Sequence, residues 1–322
     1  MRTLRLFVAC ILIGLCALSG GAEAKKKIKG IRPFQVTGTY NTPLQIVSGP
    51  DGNLWFVLGN GAIGTMDTAG KNLKVFPAPT PGAIVGITVS GGALWFTEEQ
   101  ANKIGKITTD GTITEFPLPT PGTFGPEGIT AGPDGNVWFT ERSANQIGRI
   151  TPSGIITEFG GLSPGSGPIG IVAGLDQHLW FTEINGDRIG KMSTTGALME
   201  FPLPAGHGAN GITVGADGAL WFIEADVGFI GRMTTSGSLT EFPVPTNFGN
   251  DDIVSVSNGD LWYASNQSAV VLVRTSNGAV TGTKLVSTGS GQPNGITVGP
   301  DGRIWFTDLS ADTVNQVRKP KP

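Results

Sequence analysis

Seven tryptophans divide the chain into units of nearly equal length, and they are the only tryptophans among its 322 residues. Successive tryptophans are separated by 40 to 43 residues. They are Trp55, Trp95, Trp138, Trp180, Trp221, Trp262 and Trp305. A repeat of this length is typical of the four-stranded blades of a β-propeller. The spacing therefore predicts seven copies of one blade, numbered here 1 to 7 in the order of their tryptophans.

The second copy shows how one unit is organised. Its β-rich runs, residues 86–89, 93–98, 104–108 and 112–116, are separated by short segments containing Gly, Asn or Asp, which favour turns. No sustained 3.6-residue apolar period indicates a helix in the chain after residue 24, and 50 Gly and 22 Pro interrupt the sequence. We therefore predict an all-β fold: a seven-bladed β-propeller with four antiparallel strands in each blade.

The two ends of the repeat array complement one another. Residues 34–40 resemble a fourth strand but precede the first full copy, and the seventh copy stops after its third strand, near Val317. We expect the N-terminal strand to complete the last blade, because ring closure removes exposed sheet edges. The predicted divisions are a signal peptide (1–24), an N-terminal tail (25–32), the propeller (33–318) and a C-terminal tail (319–322).

The first 24 residues have the pattern of an export signal. Two arginines precede an apolar run over residues 6–18, and small residues follow at a cleavage site before Lys25. We expect an exported protein, located in the periplasm or outside the cell. A lipid anchor on Cys16 is the alternative, but Leu15 occupies the position where a small residue is normally required.

Composition and charge argue against cysteine-based sites, nucleic-acid binding and a membrane span. Both cysteines lie within the predicted signal, so we expect no disulfide, cysteine metal site or thiol nucleophile in the mature domain. The formal charge of −3 with scattered Lys and Arg gives no footprint for nucleic acid. No second apolar run approaches the length of a membrane span, so we expect none.

Recurring residues are interpreted as structural. An acid follows Trp-Phe-Thr, or its equivalent, in five copies. These acids are Glu98, Glu141, Glu183, Glu224 and Asp308. A residue that the blade itself requires recurs, whereas a catalytic residue need occur only once. Function is therefore expected where the copies differ, and blade 6 differs most, with Trp262-Tyr263-Ala264-Ser265 at this place.

The most informative differences precede the Gly-Ile-Thr that opens each innermost strand, because innermost strands line the central channel of a propeller. We call this ring of positions the channel mouth. It comprises Leu44, Val85, Glu127, Ile169, Asn210, Asp251 and Asn294, with Asp252 and Gln292 beside it. Glu127, Asn210, Asp251 and Asn294 offer the hard oxygen ligands that suit Ca²⁺ or Mg²⁺. The alternative is that Asn and Asp serve the backbone at these turns.

Histidine occurs twice. His207 lies three residues before a mouth position in a Gly-rich loop, where it could act as a general base, although a loop histidine can equally be inert. His178 lies in a turn, and we expect it to be exposed and without a role.

Two repeated motifs carry a family resemblance. Leu94-Trp95-Phe96-Thr97-Glu98 and Thr114-Glu115-Phe116-Pro117-Leu118-Pro119, with their copies, resemble the virginiamycin B (streptogramin B) lyase family over essentially the whole mature chain. The resemblance implies a monomeric seven-bladed propeller. It also implies a Mg²⁺-assisted elimination, with a histidine as base, that opens the ester of a cyclic depsipeptide antibiotic.

The resemblance also places the family's catalytic histidines at the mouth positions of the last two blades. The matching stretches here, residues 250–254 and 292–296, contain no histidine, and Gln292 replaces the metal-binding Glu. Asp251 becomes the candidate base beside His207. Asp252, Gln292 and Asp308 are candidate substrate-binding residues.

Three functions remain open. The first is a lyase that uses Asp251 or His207 as base, with Glu127 helping to hold Mg²⁺. The second is a Ca²⁺-dependent lactone hydrolase, because Pro126-Glu127-Gly128 and Pro293-Asn294-Gly295 are similar to ligand stretches of gluconolactonase-type propellers. The third is a propeller of the cell envelope that binds a small cyclic ester or peptide at the mouth without chemistry.

Overall fold

The computed structural model describes residues 30–120, 125–224, 227–244 and 252–318. The predicted signal peptide, most of the predicted N-terminal tail, and Asp251 lie outside the described residues. Within them the chain forms seven four-stranded antiparallel sheets, which confirms the predicted seven-bladed all-β propeller.

The first four blades follow the order of the chain, with the innermost strand first. Blade 1 is β2 (Pro43–Ser48), β3 (Leu54–Leu58), β4 (Ala62–Met66) and β5 (Lys74–Pro77). Blade 2 is β6 (Ile84–Ser90), β7 (Ala93–Glu98), β8 (Lys103–Ile107) and β9 (Ile113–Pro117). Blade 3 is β10 (Pro126–Ala131), β11 (Val137–Glu141), β12 (Gln146–Ile150) and β13 (Ile156–Phe159). Blade 4 is β14 (Pro168–Ala173), β15 (His178–Glu183), β16 (Arg188–Ser193) and β17 (Leu198–Pro202).

Blades 5 and 6 follow the same order, and blade 7 is completed by a strand from the other end of the chain. Blade 5 is β18 (Ala209–Val214), β19 (Leu220–Glu224), β20 (Phe229–Met233) and β21 (Leu239–Pro243). Blade 6 is β22 (Ile253–Ser255), β23 (Leu261–Ser265), β24 (Ala269–Ser276) and β25 (Ala279–Ser287). Blade 7 is β26 (Pro293–Val298), β27 (Ile304–Asp308) and β28 (Thr313–Val317), completed by β1 (Ile31–Gln35).

Ring closure by the N-terminal strand is confirmed. β1 pairs antiparallel with β28, so that Ile31 lies opposite Val317. The strand begins at Ile31, three residues before the predicted position and two before the predicted domain boundary. The register is set by Phe34, which stacks on Trp305 with ring centroids 5.3 Å apart, as fourth-strand phenylalanines do on the tryptophans of blades 1 to 5.

The tryptophans lie in the hydrophobic clusters between neighbouring blades. Trp55 of blade 1, for example, packs with Leu94 and Phe96 of blade 2. Six of the seven are no more than 2% exposed, and Trp262 of blade 6 is partly exposed. Each buried indole removes a large apolar surface from water, so these contacts hold adjacent blades together.

The innermost strands of neighbouring blades contact each other around the ring, including β26 with β2. Their first residues therefore surround one end of the channel. In the described part of the chain, no helix is long and apolar enough to cross a membrane.

Candidate functional site at the channel mouth

A threonine hydroxyl ties neighbouring blades together at the mouth. Thr97 Oγ1 accepts a hydrogen bond from Gly86 N–H of its own blade at 2.8 Å and donates to the Glu127 carbonyl of the next blade at 2.8 Å. The same link is made by Thr140, Thr182 and Thr307. A Cβ on Gly86 would lie 2.4 Å from the Glu127 carbonyl oxygen, so the glycine is required by close approach of the blades.

Three blades lack this threonine. Val57, Ile223 and Ala264 occupy its place in blades 1, 5 and 6. Blade 6 has a different link, because Asp252 replaces the glycine: its Oδ2 accepts from Ile296 N–H of blade 7 at 3.1 Å, and its Oδ1 from Ile253 N–H at 2.9 Å. Burial raises the pKa of Asp252 to about 6, although both N–H groups oppose the rise. The structure thus places this predicted substrate-binding residue in an inter-blade hydrogen bond.

Glu127 lies at the mouth beside a positive charge. Arg142 Nη1 is 3.4 Å from Glu127 Oε1, and the glutamate side chain is 16% exposed. Burial raises the pKa of Glu127, the Arg142 guanidinium opposes this rise, and the nearby Glu99 adds to it. The carboxylate is therefore already paired with a cation of the protein.

Three of the four predicted metal ligands belong to the described residues. Asn210 is buried and its carbonyl accepts from Thr182, while Asn294 is half-buried. Of the four predicted ligands, Asp251 lies outside the described residues. Among the other three, Glu127 is the single carboxylate. The positive charge of Arg142 beside it would repel a metal cation. The described donors therefore fit the Mg²⁺ or Ca²⁺ implied by the resemblances poorly.

Asp308 is held in the loops at the end of blade 7. Its Oδ1 accepts from Gln292 N–H at 3.0 Å, Ala311 N–H at 3.1 Å and Ser310 Oγ–H at 3.0 Å. The Gln292 side chain, in contrast, is exposed. Asp308 thus positions the loop that presents the neutral amides of Gln292 and Asn294 at the mouth.

His207 lies between two carboxylates on the mouth side of blade 5. Its Nδ1 is 2.6 Å from Glu224 Oε2 and 3.0 Å from Glu241 Oε1. Burial lowers the pKa of His207, but the two carboxylates outweigh it and leave the pKa above its ordinary value. These two partners were not predicted from the sequence, although Ala205 distinguishes this blade from blades 2 to 4, which have Thr or Ser at the same place. The role of His207 as a base stays a prediction. The other histidine, His178, contacts the carbonyl of Asp176, and its side chain is 36% exposed.

The recurring glutamates form acid pairs within their blades. Burial raises the pKa of Glu98 to about 7, of Glu141 to about 8, and of Glu183 and Glu224 to about 7. In each case a fourth-strand glutamate strengthens the rise; these are Glu115, Glu158, Glu200 and Glu241. The buried members of these pairs therefore keep a proton close to neutral pH.

The fold and the mouth define this chain as a seven-bladed propeller whose polar groups gather at one end of the channel. The chain belongs to the virginiamycin B lyase family, whose model matches residues 24–208 and 123–320.

Individual relatives agree with this assignment. A virginiamycin B lyase from Nocardia farcinica is 32% identical over 94 residues, which span 29% of this chain and only 33% of that relative. The structure of a streptogramin B lyase superposes with a TM-score of 0.82 and 37% identity, covering 89% of this chain and 96% of that one. A catalytically inactive virginiamycin B lyase from Staphylococcus aureus, solved with quinupristin, gives a TM-score of 0.83 and 35% identity, covering 90% and 99%.

Proposed function

We propose that this chain is an exported member of the family that binds a small cyclic ester or peptide over the channel mouth. In this proposal the ligand is not opened by the family's histidine-dependent elimination. The observation that carries the proposal is the blade 7 loop, where Asp308 fixes a backbone that presents Gln292 and Asn294. Both side chains are neutral amides, which can bind ester and peptide groups but are poor bases.

The neighbouring blade supports the same conclusion. Residues 250–254 contain no histidine, and the carboxylate of Asp252 is engaged by two backbone N–H groups. Glu127, on the other side of the ring, is paired with Arg142. The carboxylates of Asp252 and Glu127 thus serve the protein's own structure, which favours binding over catalysis.

Quinupristin, the compound in the relative's structure, is the probe that tests this proposal. We expect calorimetry to detect its binding to the purified protein, and chromatography with mass spectrometry to recover it unchanged. Gln292→Ala should weaken binding about tenfold, the loss of one good hydrogen bond. The matched control Thr109→Ala alters an exposed turn on the opposite face and should bind normally.

Each other result overturns part of the proposal. A product of unchanged mass and new retention time is elimination, and a product heavier by one water is hydrolysis. Either would exclude a purely binding role, and hydrolysis that depends on Ca²⁺ would favour the lactonase. Absence of quinupristin binding would exclude this class of ligand.

Elimination with a different base is the second candidate function. It is favoured by the position of His207, a candidate base that lies on the mouth side of blade 5 between two carboxylates. If this is correct, turnover of quinupristin will be seen and His207→Ala will remove it while binding persists.

Export rests on the apolar segment before Lys25. We expect the protein secreted by a bacterial host to begin at Lys25 when its N-terminus is sequenced. Retention of residues 1–24 in the mature protein would contradict export by cleavage, and a lipid on Cys16 would favour the anchored alternative.

A further inference from the structure

Blade 5 contains a cluster of one imidazole and two carboxylates, and the described residues of the other blades form none like it. We call His207, Glu224 and Glu241 the blade-5 cluster. One candidate ligand atom from each residue lies within 4.8 Å of the others. The Glu224 side chain is fully buried, whereas His207 and Glu241 are 18% and 24% exposed, so the cluster is open to solvent on one side.

Strand pairing brings these residues together. Glu224 ends β19, opposite Ala209 of the innermost strand, and Glu241 lies on β21 opposite Gly231 of β20. Because Gly231 has no side chain, the two glutamates face each other across β20. His207 enters from the loop that leads into β18.

The equivalent glutamates of blades 2 to 4 have hydroxyl partners. Thr80, Thr120 and Ser163 each donate a side-chain hydroxyl and a backbone N–H to the fourth-strand glutamate of the following blade. In blade 5 the corresponding residue is Ala205, which has no hydroxyl. The imidazole of His207 contacts the carboxylates instead.

The basic residue found at the start of the third strand in blades 2 and 4 is also absent from blade 5. In blade 2 the Lys103 ammonium is 2.6 Å from Glu115. The corresponding residue of blade 5 is Phe229, whose ring stacks on His207 with centroids 5.7 Å apart. Compared with blade 2, blade 5 therefore has a histidine stacked on an aromatic ring in place of a lysine and a hydroxyl.

One oxygen of the cluster lacks a partner. Glu224 Oε1 is buried without a hydrogen bond from any described residue. A buried carboxylate oxygen is costly unless a proton, a donor or a cation compensates it. The same carboxylate contacts His207 through Oε2, so both of its oxygens border the cluster.

We infer that the blade-5 cluster binds a divalent transition-metal cation, for which zinc is the best match. One imidazole nitrogen with two carboxylate oxygens is a ligand set that zinc accepts, and the open side leaves a position for water or substrate. Tetrahedral metal bonds of about 2.0 to 2.2 Å place ligand atoms about 3.4 Å apart, so His207 Nδ1 would have to move away from Glu224 Oε2, now 2.6 Å distant, by somewhat more than half an ångström. The cation would replace the proton that now lies between them.

Zinc titration of the purified protein, after removal of metal with a chelator, tests this inference. Native mass spectrometry is expected to show one zinc per chain, and saturating zinc should raise the melting temperature. His207→Ala and Glu241→Gln should each weaken zinc affinity at least tenfold. His178→Ala, which removes the other histidine, and Glu200→Gln, the same change in blade 4, are the matched controls and should bind like the unaltered protein.

Three results would overturn the inference. They are absence of stoichiometric zinc binding, binding that persists in both cluster variants, and binding lost in Glu127→Gln but not in Glu241→Gln, which would place the cation at the mouth. Circular dichroism of each variant shows whether it is folded, and Glu241→Gln, isosteric and partly exposed, provides the test should His207→Ala unfold. Quinupristin binding is measured separately, so failure here leaves the proposed function intact.

Discussion

Blades 2 to 4 and blade 6 derive from one repeat, yet they are secured to their neighbours in different ways. In blades 2 to 4 a threonine links a glycine N–H to a carbonyl of the next blade. In blade 6 both residues have changed, to Ala264 and Asp252, and a carboxylate receives an N–H from blade 7. The two substitutions belong together. Without the threonine hydroxyl, the carboxylate of Asp252 makes the hydrogen bond that connects blade 6 to blade 7.

This difference separates structural from functional variation. A position can depart from the repeat and still have a structural duty, as Asp252 does. Gln292 also departs from the repeat, but its side chain is exposed. His207 departs from the repeat and brings an imidazole beside two carboxylates. Uniqueness within a repeat identifies candidates, and hydrogen bonding then distinguishes among them.

The largest expected effect concerns the tryptophans. Trp138→Ala should lower the free energy of unfolding by about 4 kcal/mol, because a fully buried indole leaves a cavity between blades. Trp262→Ala in blade 6 should cost about half as much, since this ring is partly exposed. Denaturant unfolding measures both. Equal losses would show that blade 6 is as tightly packed as blade 3.

The acid pairs should give the next largest effect, through pH. Burial and Glu158 raise the pKa of Glu141 from 4.5 to about 8, so the folded state holds a proton that the unfolded chain releases. Stability contributed by this proton is complete below pH 4.5 and is lost as the pH rises to about 8. Glu141→Gln should therefore stabilise the protein by a few kcal/mol at pH 8 and change little at pH 4.

Thermal melts from pH 4 to pH 8 check this prediction. Blade 6 provides the control, since neutral Ser265 occupies the equivalent position and Ser265→Ala should not alter the pH dependence. A variant Glu141→Gln whose melting temperature falls with pH as steeply as that of the unaltered protein would contradict the raised pKa.

The smallest effect is expected at the threonine link. Thr140→Val removes the partner of Gly128 N–H and of the Ile169 carbonyl, and should cost about 1.5 kcal/mol. Ala264→Thr should give no compensating gain in blade 6, because Asp252 already makes the connection to blade 7. An increase in melting temperature for Ala264→Thr would mean that the two kinds of link can coexist.

Most of the fold could be predicted from the sequence because a propeller repeats its signals. Seven tryptophans gave the number of blades, and the incomplete ends gave the closure. The start of β1 was misplaced because strand propensity alone does not set register. The contact of Phe34 with Trp305, which does set it, joins opposite ends of the chain.

Less of the candidate site was predictable. The mouth positions follow from the repeat, but the pairing of Glu127 with Arg142 depends on side-chain directions at a turn. The blade-5 cluster was missed because Glu224 and Glu241 occupy recurring positions, interpreted as structural. His207 lies 17 and 34 residues from them, and its reach depends on the path of a glycine-rich loop.

The pairing of β1 with β28 has a consequence for biogenesis. Strand β1 precedes every other described strand in the chain but can pair with β28 only after Val317 has been synthesised, because Ile31 and Val317 lie opposite each other. Before β1 pairs, blade 7 is a three-stranded sheet whose β28 edge has no neighbouring strand. Pairing of β1 within the same chain therefore competes with addition of a strand from another molecule at the β28 edge.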